Sequence, residues 1–158
     1  MRVVERVDPP GKRVGRECAP MALGEQIGEA SGRITGTRVV TPPLEGQPLQ
    51  IEVSFQGSGS LLGQEITEIG TYWQTARPGG VLYGEGNVLY ITGDGESAQW
   101  TGFGVGRPTG SFPAGHFAVC GSTDTESQAL GRLNEVATVT EYDVDQEGNY
   151  RYRIWEWQ

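Results

Sequence analysis

The amino-acid sequence predicts an all-β protein, a single eight-stranded antiparallel β-barrel with a flexible N-terminal arm. Three observations predict it. Apolar and polar residues alternate with period two in one segment after another. Short turn signals rich in Asp, Gly and Asn join the segments. Glycines fall two apart inside them, as in Gly57/Gly59, Gly84/Gly86 and Gly102/Gly104/Gly106. Same-face glycines let a sheet coil sharply and leave volume beside it, which suits a closed barrel better than a flat sandwich.

The elements follow in chain order. Residues 1–25 mix charges with Pro9, Pro10, Gly11 and Pro20 and keep no period. They read as an arm with one short helical turn near Met21–Leu23, either a plain tail or a lid over a cavity mouth. The barrel domain is 26–158, and its first strand is 26–40. In Leu49–Leu62, Ile51, Val53 and Phe55 alternate with Gln50, Glu52, Ser54 and Gln56. A strand over 64–77 comes next. Gly80–Thr92 and Ser97–Arg107 flank the turn TGDGES. A strand over 113–123 precedes the one helical stretch of the body, Glu126–Leu133. Glu135–Val144 and Asn149–Trp157 form the last hairpin, joined by DQEGN. A barrel of eight strands is either filled by side chains or holds one small ligand.

Composition removes several functions. Twenty acids against 12 bases give a net charge of −8. That charge opposes binding to nucleic acid and to anionic membrane surfaces, both of which need clustered Lys and Arg. No apolar run approaches the roughly 20 residues of a membrane helix. The N-terminus has no apolar signal-peptide core, and the two cysteines, Cys18 and Cys120, form no disulfide framework, so the expected location is cytoplasmic. The single histidine, His116, cannot build a three-histidine zinc site, and a Schiff-base lysine would have to be Lys12, in the arm. No cofactor and no metal is called for. GFGVGRPTG (102–110) lacks nucleotide-loop spacing. QGSGS (56–60) is not a nucleophile elbow. The acidic run Asp143–Gly148 would put Ile154 where a calcium loop needs a glutamate.

What remains is aromatic and carboxylic. Tyr72, Trp73, Tyr83, Tyr90, Trp100, Phe103, Phe117, Tyr142, Tyr150, Tyr152, Trp155 and Trp157 lie on expected strands. Singly, each suits packing; together they suit a wide apolar lumen with phenol and indole groups turned toward a guest. Glu52, Glu65, Glu68, Glu85, Glu141 and Glu156 also lie on strands, and an inward one would be an acid, base or hydrogen-bonding group with a raised pKa. The selected catalytic candidates are Glu65, Tyr72 and His116. Tyr90, Trp100, Phe103, Tyr142 and Tyr152 are the selected substrate-binding aromatics. Exposure of Trp155 or Trp157 would mark a homodimer face.

The segment Gly63–Trp157 also carries a resemblance. GTYW (70–73), RPGG-x-LYGEG (77–86), DGE-x-A-x-WTG-x-GVGR-x-TG (94–110), RLN (132–134) and EYDVD-x-x-GN…WEW (141–157) resemble a family of small bacterial and archaeal proteins with the calycin / allene oxide cyclase-like barrel. That class includes cofactor-free cyclases that close spirotetronate and polyether polyketide rings by [4+2] cycloaddition. The resemblance implies a lumen for an apolar small-molecule substrate and cyclase chemistry. It transfers no catalytic residue. The chain departs from the pattern at HFAVCGSTDT (116–125) and at Thr138 and Thr140, which makes Thr138 a further substrate-binding candidate for an oxygenated guest.

The function expected from the sequence is a cofactor-independent cyclase acting on a linear polyketide-like substrate in the lumen, by [4+2] or hetero-[4+2] cycloaddition. The alternatives are a non-enzymatic, lipocalin-like binder of an apolar molecule, and an isomerase or hydrolase using an inward Glu or His116 as base. Ring closure of this kind needs no nucleophile; it needs a shape that preorganises a flexible chain and a hydrogen bond that polarises a carbonyl.

Overall fold

The computed structural model describes residues 23–41, 46 and 48–158. Eight strands follow one another: β1 (Leu23–Thr41), β2 (Gln50–Leu61), β3 (Gln64–Arg77), β4 (Val81–Thr92), β5 (Ser97–Pro108), β6 (Gly115–Thr125), β7 (Ala137–Val144) and β8 (Asn149–Trp157). Each pairs antiparallel with the next, and β8 returns to β1, so the sheet is one closed barrel. Closure removes every sheet edge. The expected fold class is the observed one. The expected arm lies outside the described residues up to residue 22; Leu23, Gly24 and Glu25 already belong to β1.

Turn chemistry sets the hairpins. Leu62 (φ 48°) and Gly63 (φ 76°) form the two-residue β2–β3 turn, where both positions are left-handed. Gly95 (φ 83°) and Gly148 (φ 80°) supply the same backbone in the β4–β5 and β7–β8 turns. Register shifts interrupt only β1, between Ile34 and Gly36 and between Val39 and Thr41 on the β2 side, and between Leu23 and Gly28 on the β8 side. From β2 to β8 the ladders run without a shift. Alternation therefore fixes which residues face in: on β3 Ile66, Glu68, Gly70, Tyr72 and Gln74; on β5 Ala98, Trp100, Gly102 and Gly104; on β8 Tyr150, Tyr152, Ile154 and Glu156.

The stretch Glu126–Leu133 is not an α-helix. Turns lead into a 3-10 segment at Gly131–Glu135. Ser127 Oγ accepts the Leu130 N–H, and the Ser127 N–H is itself held by Thr125 Oγ1. Such side-chain bonds compete with a helical ladder, and Gly131 weakens it further. The segment instead closes one end of the barrel, with Leu130 and Leu133 fully buried. Arg132 ties it down through Glu156 (2.7 Å) on β8 and Glu25 (3.0 Å) on β1.

The inward glycines seat aromatic rings. A Cβ on Gly70 would overlap the Phe55 ring; on Gly102 or Gly121, the Trp100 indole; on Gly106 or Gly115, the Phe117 ring; on Gly32 or Gly57, the Tyr150 hydroxyl. The lumen that the glycines open is largely refilled by rings lying flat against the wall. Burial of each large apolar side chain contributes about 1.5–3 kcal/mol, so these seats are stability determinants.

Gly70→Ala should therefore destabilise the barrel by about 1–3 kcal/mol through overpacking, read as a lower denaturant midpoint. In a Phe55→Ala background the same substitution should cost much less. Equal costs in both backgrounds would show that the ring does not rest on the glycine.

Candidate functional site

The barrel encloses a cavity of about 90 Å³. Its walls are mostly apolar: Phe55, Val88, Trp100, Phe117, Val119 and Ile154 contribute side chains, and Tyr72, Tyr90, Tyr142 and Tyr152 contribute rings. Gln74 and Gly84 stand toward the end where β3 passes into β4, opposite the end plugged by Leu130 and Leu133. The lumen is narrow, not wide as the aromatic count suggested. The reason is the ring-on-glycine packing, which spends the volume that the glycines create.

Tyr142 is the hub of the aromatic wall. Its ring stacks on Tyr150 (5.5 Å between centroids) and Tyr152 (6.3 Å) and meets Phe55 (6.3 Å), Tyr72 (6.3 Å) and Phe117 (6.1 Å). Its hydroxyl oxygen is buried and has no hydrogen-bond partner among the described residues. The Tyr72 phenol faces it closely enough for each to influence the other's titration. Burial raises the Tyr72 phenol to about 12 and pushes Tyr142 well above its ordinary value. Both hydroxyls therefore stay protonated at neutral pH and remain donors. An orphaned buried donor is costly unless something accepts from it.

Deeper in the barrel lies a second group. Glu68 is 1% exposed. It accepts hydrogen bonds from Tyr150 Oη (2.5 Å) and from Tyr152 Oη. A single cross-strand row brings these together: Tyr150 on β8 faces Gly32 on β1, then Gly57 on β2, then Glu68 on β3, then Tyr90 on β4. The two glycines leave the path along which Tyr150 reaches Glu68. Burial raises the Glu68 pKa, and the two phenol hydrogen bonds oppose that rise without cancelling it. Burial, with the Glu68 charge added, pushes Tyr90, Tyr150 and Tyr152 upward as well. Tyr90 and Tyr152 line the cavity, whereas Glu68 stands behind them.

Of the sequence candidates, Tyr72, Tyr90, Trp100, Tyr142 and Tyr152 come together around the cavity. Four others do not present their side chains to it. Glu65 faces outward and is exposed, because β3 runs without a bulge and an odd separation from Tyr72 puts it on the other face. Phe103 is 52% exposed and packs against Tyr83 (6.4 Å) on the outer wall, although the residue borders the cavity between Gly102 and Gly104. His116 lies outside and pairs Nδ1 with Asp143 Oδ1 at 2.7 Å, both largely exposed. Thr138 does face inward, but its Oγ1 accepts the Trp100 indole N–H (3.0 Å) and donates to the Gly121 carbonyl (3.2 Å), fixing the indole plane instead of meeting a guest. Glu68 and Tyr150 were within reach of the sequence, since counting back in twos from Tyr72 arrives at Glu68. Cys120 is free and exposed, and Trp157 is 41% exposed. No helix among the described residues is long and apolar enough to cross a membrane.

No family model and no curated protein matches the chain. Solved structures do. A protein of unknown function from Clostridium acetobutylicum aligns with TM-score 0.74 and 14% identity, covering 89% of this chain and 99% of its own. A beta-barrel-like protein from Acinetobacter baumannii aligns with TM-score 0.73 and 13% identity, covering 89% and 98%. An enzyme from Penicillium herquei aligns with TM-score 0.65 and 17% identity, covering 92% and 100%. At these identities the likeness is one of fold, an eight-stranded barrel over nearly the whole chain.

The buried carboxyl gives a pH signature. With its folded pKa raised above the ordinary 4.5, Glu68 holds a proton in the folded state that the unfolded chain has released. Its contribution to stability is therefore present at low pH and is lost as pH rises through the folded value. Chemical denaturation of wild type and Glu68→Gln from about pH 4 to about pH 9 should show the wild type losing stability relative to the variant as pH rises. A constant difference across that range would place Glu68 at an ordinary pKa.

Proposed function

We propose that this protein is a cofactor-independent cyclase that binds an unsaturated carbonyl segment of a linear, polyketide-like molecule in its lumen and closes a ring by a [4+2] or hetero-[4+2] cycloaddition. The observation that carries the reading is the largely apolar cavity, lined by Phe55, Trp100 and Phe117 and by the rings of Tyr72 and Tyr142, with the buried Tyr142 hydroxyl close to the Tyr72 phenol behind that wall. A carbonyl oxygen placed there accepts from Tyr142, with Tyr72 beside it as a second donor. Such a bond draws electron density from the conjugated system and strengthens as the oxygen gains charge on the way to the transition state. The walls do the rest. Phe55, Trp100 and Phe117, locked on their glycines, hold the two reacting ends in one conformation, which converts a loose chain into a near-attack geometry.

The volume of about 90 Å³ admits the reacting segment and leaves a longer chain to extend past Gln74 and Gly84. The same small volume favours a second reading, a lipocalin-like carrier of a compact apolar molecule, in which Tyr142 confers selectivity and nothing reacts. A general-base isomerase or hydrolase is the weakest reading, since His116 is external and Glu68 is screened by Tyr90 and Tyr152.

Incubation with linear polyenones, followed by mass and absorbance, separates the first two readings. A product of unchanged mass with lost conjugation marks cyclisation; a ligand recovered unchanged overturns it. Tyr142→Phe should lower kcat for ring closure roughly 10- to 100-fold, the worth of one buried hydrogen bond of about 1–3 kcal/mol. His116→Ala and Glu65→Gln should leave the rate as it is.

A further inference from the structure

Gln74 is a buried amide that the barrel does not use. It lies on the inward face of β3, borders the cavity and is 9% exposed. Its cross-strand partners are Ile51 on β2 and Gly84 on β4, and neither has a polar side chain. The amide makes no side-chain hydrogen bond to any described residue, and its oxygen and nitrogen are not sealed off from the lumen as the Tyr142 oxygen is. Room for a guest adjoins it. A Cβ on Gly84 would meet only the Trp73 carbonyl oxygen at 3.4 Å and the Tyr72 ring at 4.0 Å, both ordinary contacts. Directly opposed residues of an antiparallel pair have their Cβ atoms about 4.5–5.5 Å apart, so the space over Gly84 lies within reach of the Gln74 side chain. Burying an amide without a partner is unfavourable, and a methionine would fill the same place without that cost. Charge narrows the guest further. Among the described residues that line the cavity there is no Lys, Arg or His.

We infer that Gln74 determines which guest the lumen takes, by pairing with a neutral carboxamide of the guest, a primary amide or a lactam, placed over Gly84. The Gln74 side chain presents a carbonyl acceptor and N–H donors side by side. A primary amide or lactam presents the complement, so two parallel hydrogen bonds form. The guest N–H donates to Gln74 Oε1, and Gln74 Nε2–H donates to the guest carbonyl. A ketone accepts from Nε2 and leaves Oε1 without a donor. A carboxylate does the same and adds a charge that no cation in the wall offsets. A guest that fills the lumen displaces the water that would otherwise serve the amide, so a missing bond counts against the guest that lacks it. The inference rests on the lumen reading above and adds to it the functional group that the lumen selects.

Three dienes with the same number of heavy atoms test it, sorbamide, 3,5-heptadien-2-one and ionised sorbate, titrated at neutral pH into the full chain and followed by NMR. Wild type should bind sorbamide about tenfold more tightly than the ketone, and sorbate more weakly than either. The Gln74 side-chain N–H signals, identified by their absence from the spectrum of Gln74→Met, should shift as sorbamide is added. Gln74→Met, which keeps the volume and removes the amide, should bind sorbamide and the ketone with equal affinity. Equal affinity of wild type for sorbamide and the ketone, unmoved Gln74 signals, or undiminished sorbamide binding in Gln74→Met overturns the amide subsite and leaves the lumen reading standing. Sorbate binding as tightly as sorbamide overturns the selection of a neutral group. Failure of wild type to bind any of the three overturns the subsite and the lumen reading together. The comparison on wild type and the shift of its Gln74 signals decide the matter even where the variant folds poorly.

Discussion

The packing of aromatic rings onto bare glycine backbone is the constraint on which the rest of this barrel depends. An eight-stranded barrel has an interior just wide enough for side chains to fill or for one small ligand. Phe55, Trp100, Phe117 and Tyr150 each fit inside it where a neighbouring strand has no Cβ. The row Tyr150–Gly32–Gly57–Glu68–Tyr90 shows the arrangement most clearly. Two adjacent strands give up their side chains so that one tyrosine can lie across both and reach a carboxyl on a third. Glycine weakens a strand by about 0.5–1 kcal/mol relative to alanine, and the burial of the ring above it offsets that cost.

This packing also accounts for the electrostatics. Glu68 is desolvated because rings surround it, and its hydrogen bonds to Tyr150 and Tyr152 are the compensation that keeps a carboxyl in that position. The same burial pushes the phenols up, so they remain hydroxyl donors over the whole physiological range. Tyr152 gives its proton to Glu68, whereas Tyr142, one strand away and stacked on it, gives its proton to nothing. One stack thus holds both a phenol satisfied by a carboxyl group and a phenol without an acceptor among the described residues.

The strand pattern made the barrel legible because every ladder from β2 to β8 keeps its register, so the period-two reading survives unbroken. The same unbroken register decides which candidates share a face. Glu65 lies an odd number of residues from Tyr72, as Phe103 does from Trp100, and on an unbroken strand an odd separation means opposite faces. Glu65 and Phe103 therefore lie on the outer wall while Tyr72 and Trp100 face the lumen. Gly131 inside Glu126–Leu133 was a visible argument against a helix there. The Ser127 contacts that settle the matter depend on where β5 and β6 bring Thr125, which no local pattern shows. The width of the lumen was not legible either. Glycines two apart mark where volume is created, but only the direction of each ring decides whether that volume is refilled.

Gly84 lies at the meeting point of these two levels. In sequence it is one glycine of the Gly84/Gly86 pair, indistinguishable from those that seat Phe55 or Trp100. In the barrel its row runs Gln74, Gly84, Gly104, Val119, Thr140 and Ile154; Val119 covers Gly104, and no aromatic residue of the row lies across Gly84. A core selected only for stability would place a small side chain there, since a Cβ on Gly84 meets ordinary contacts and would gain strand stability. The glycine forgoes that gain and leaves room on the cavity wall. Whether volume stays open at a glycine is therefore decided by the cross-strand row it joins and not by the glycine spacing along its own strand.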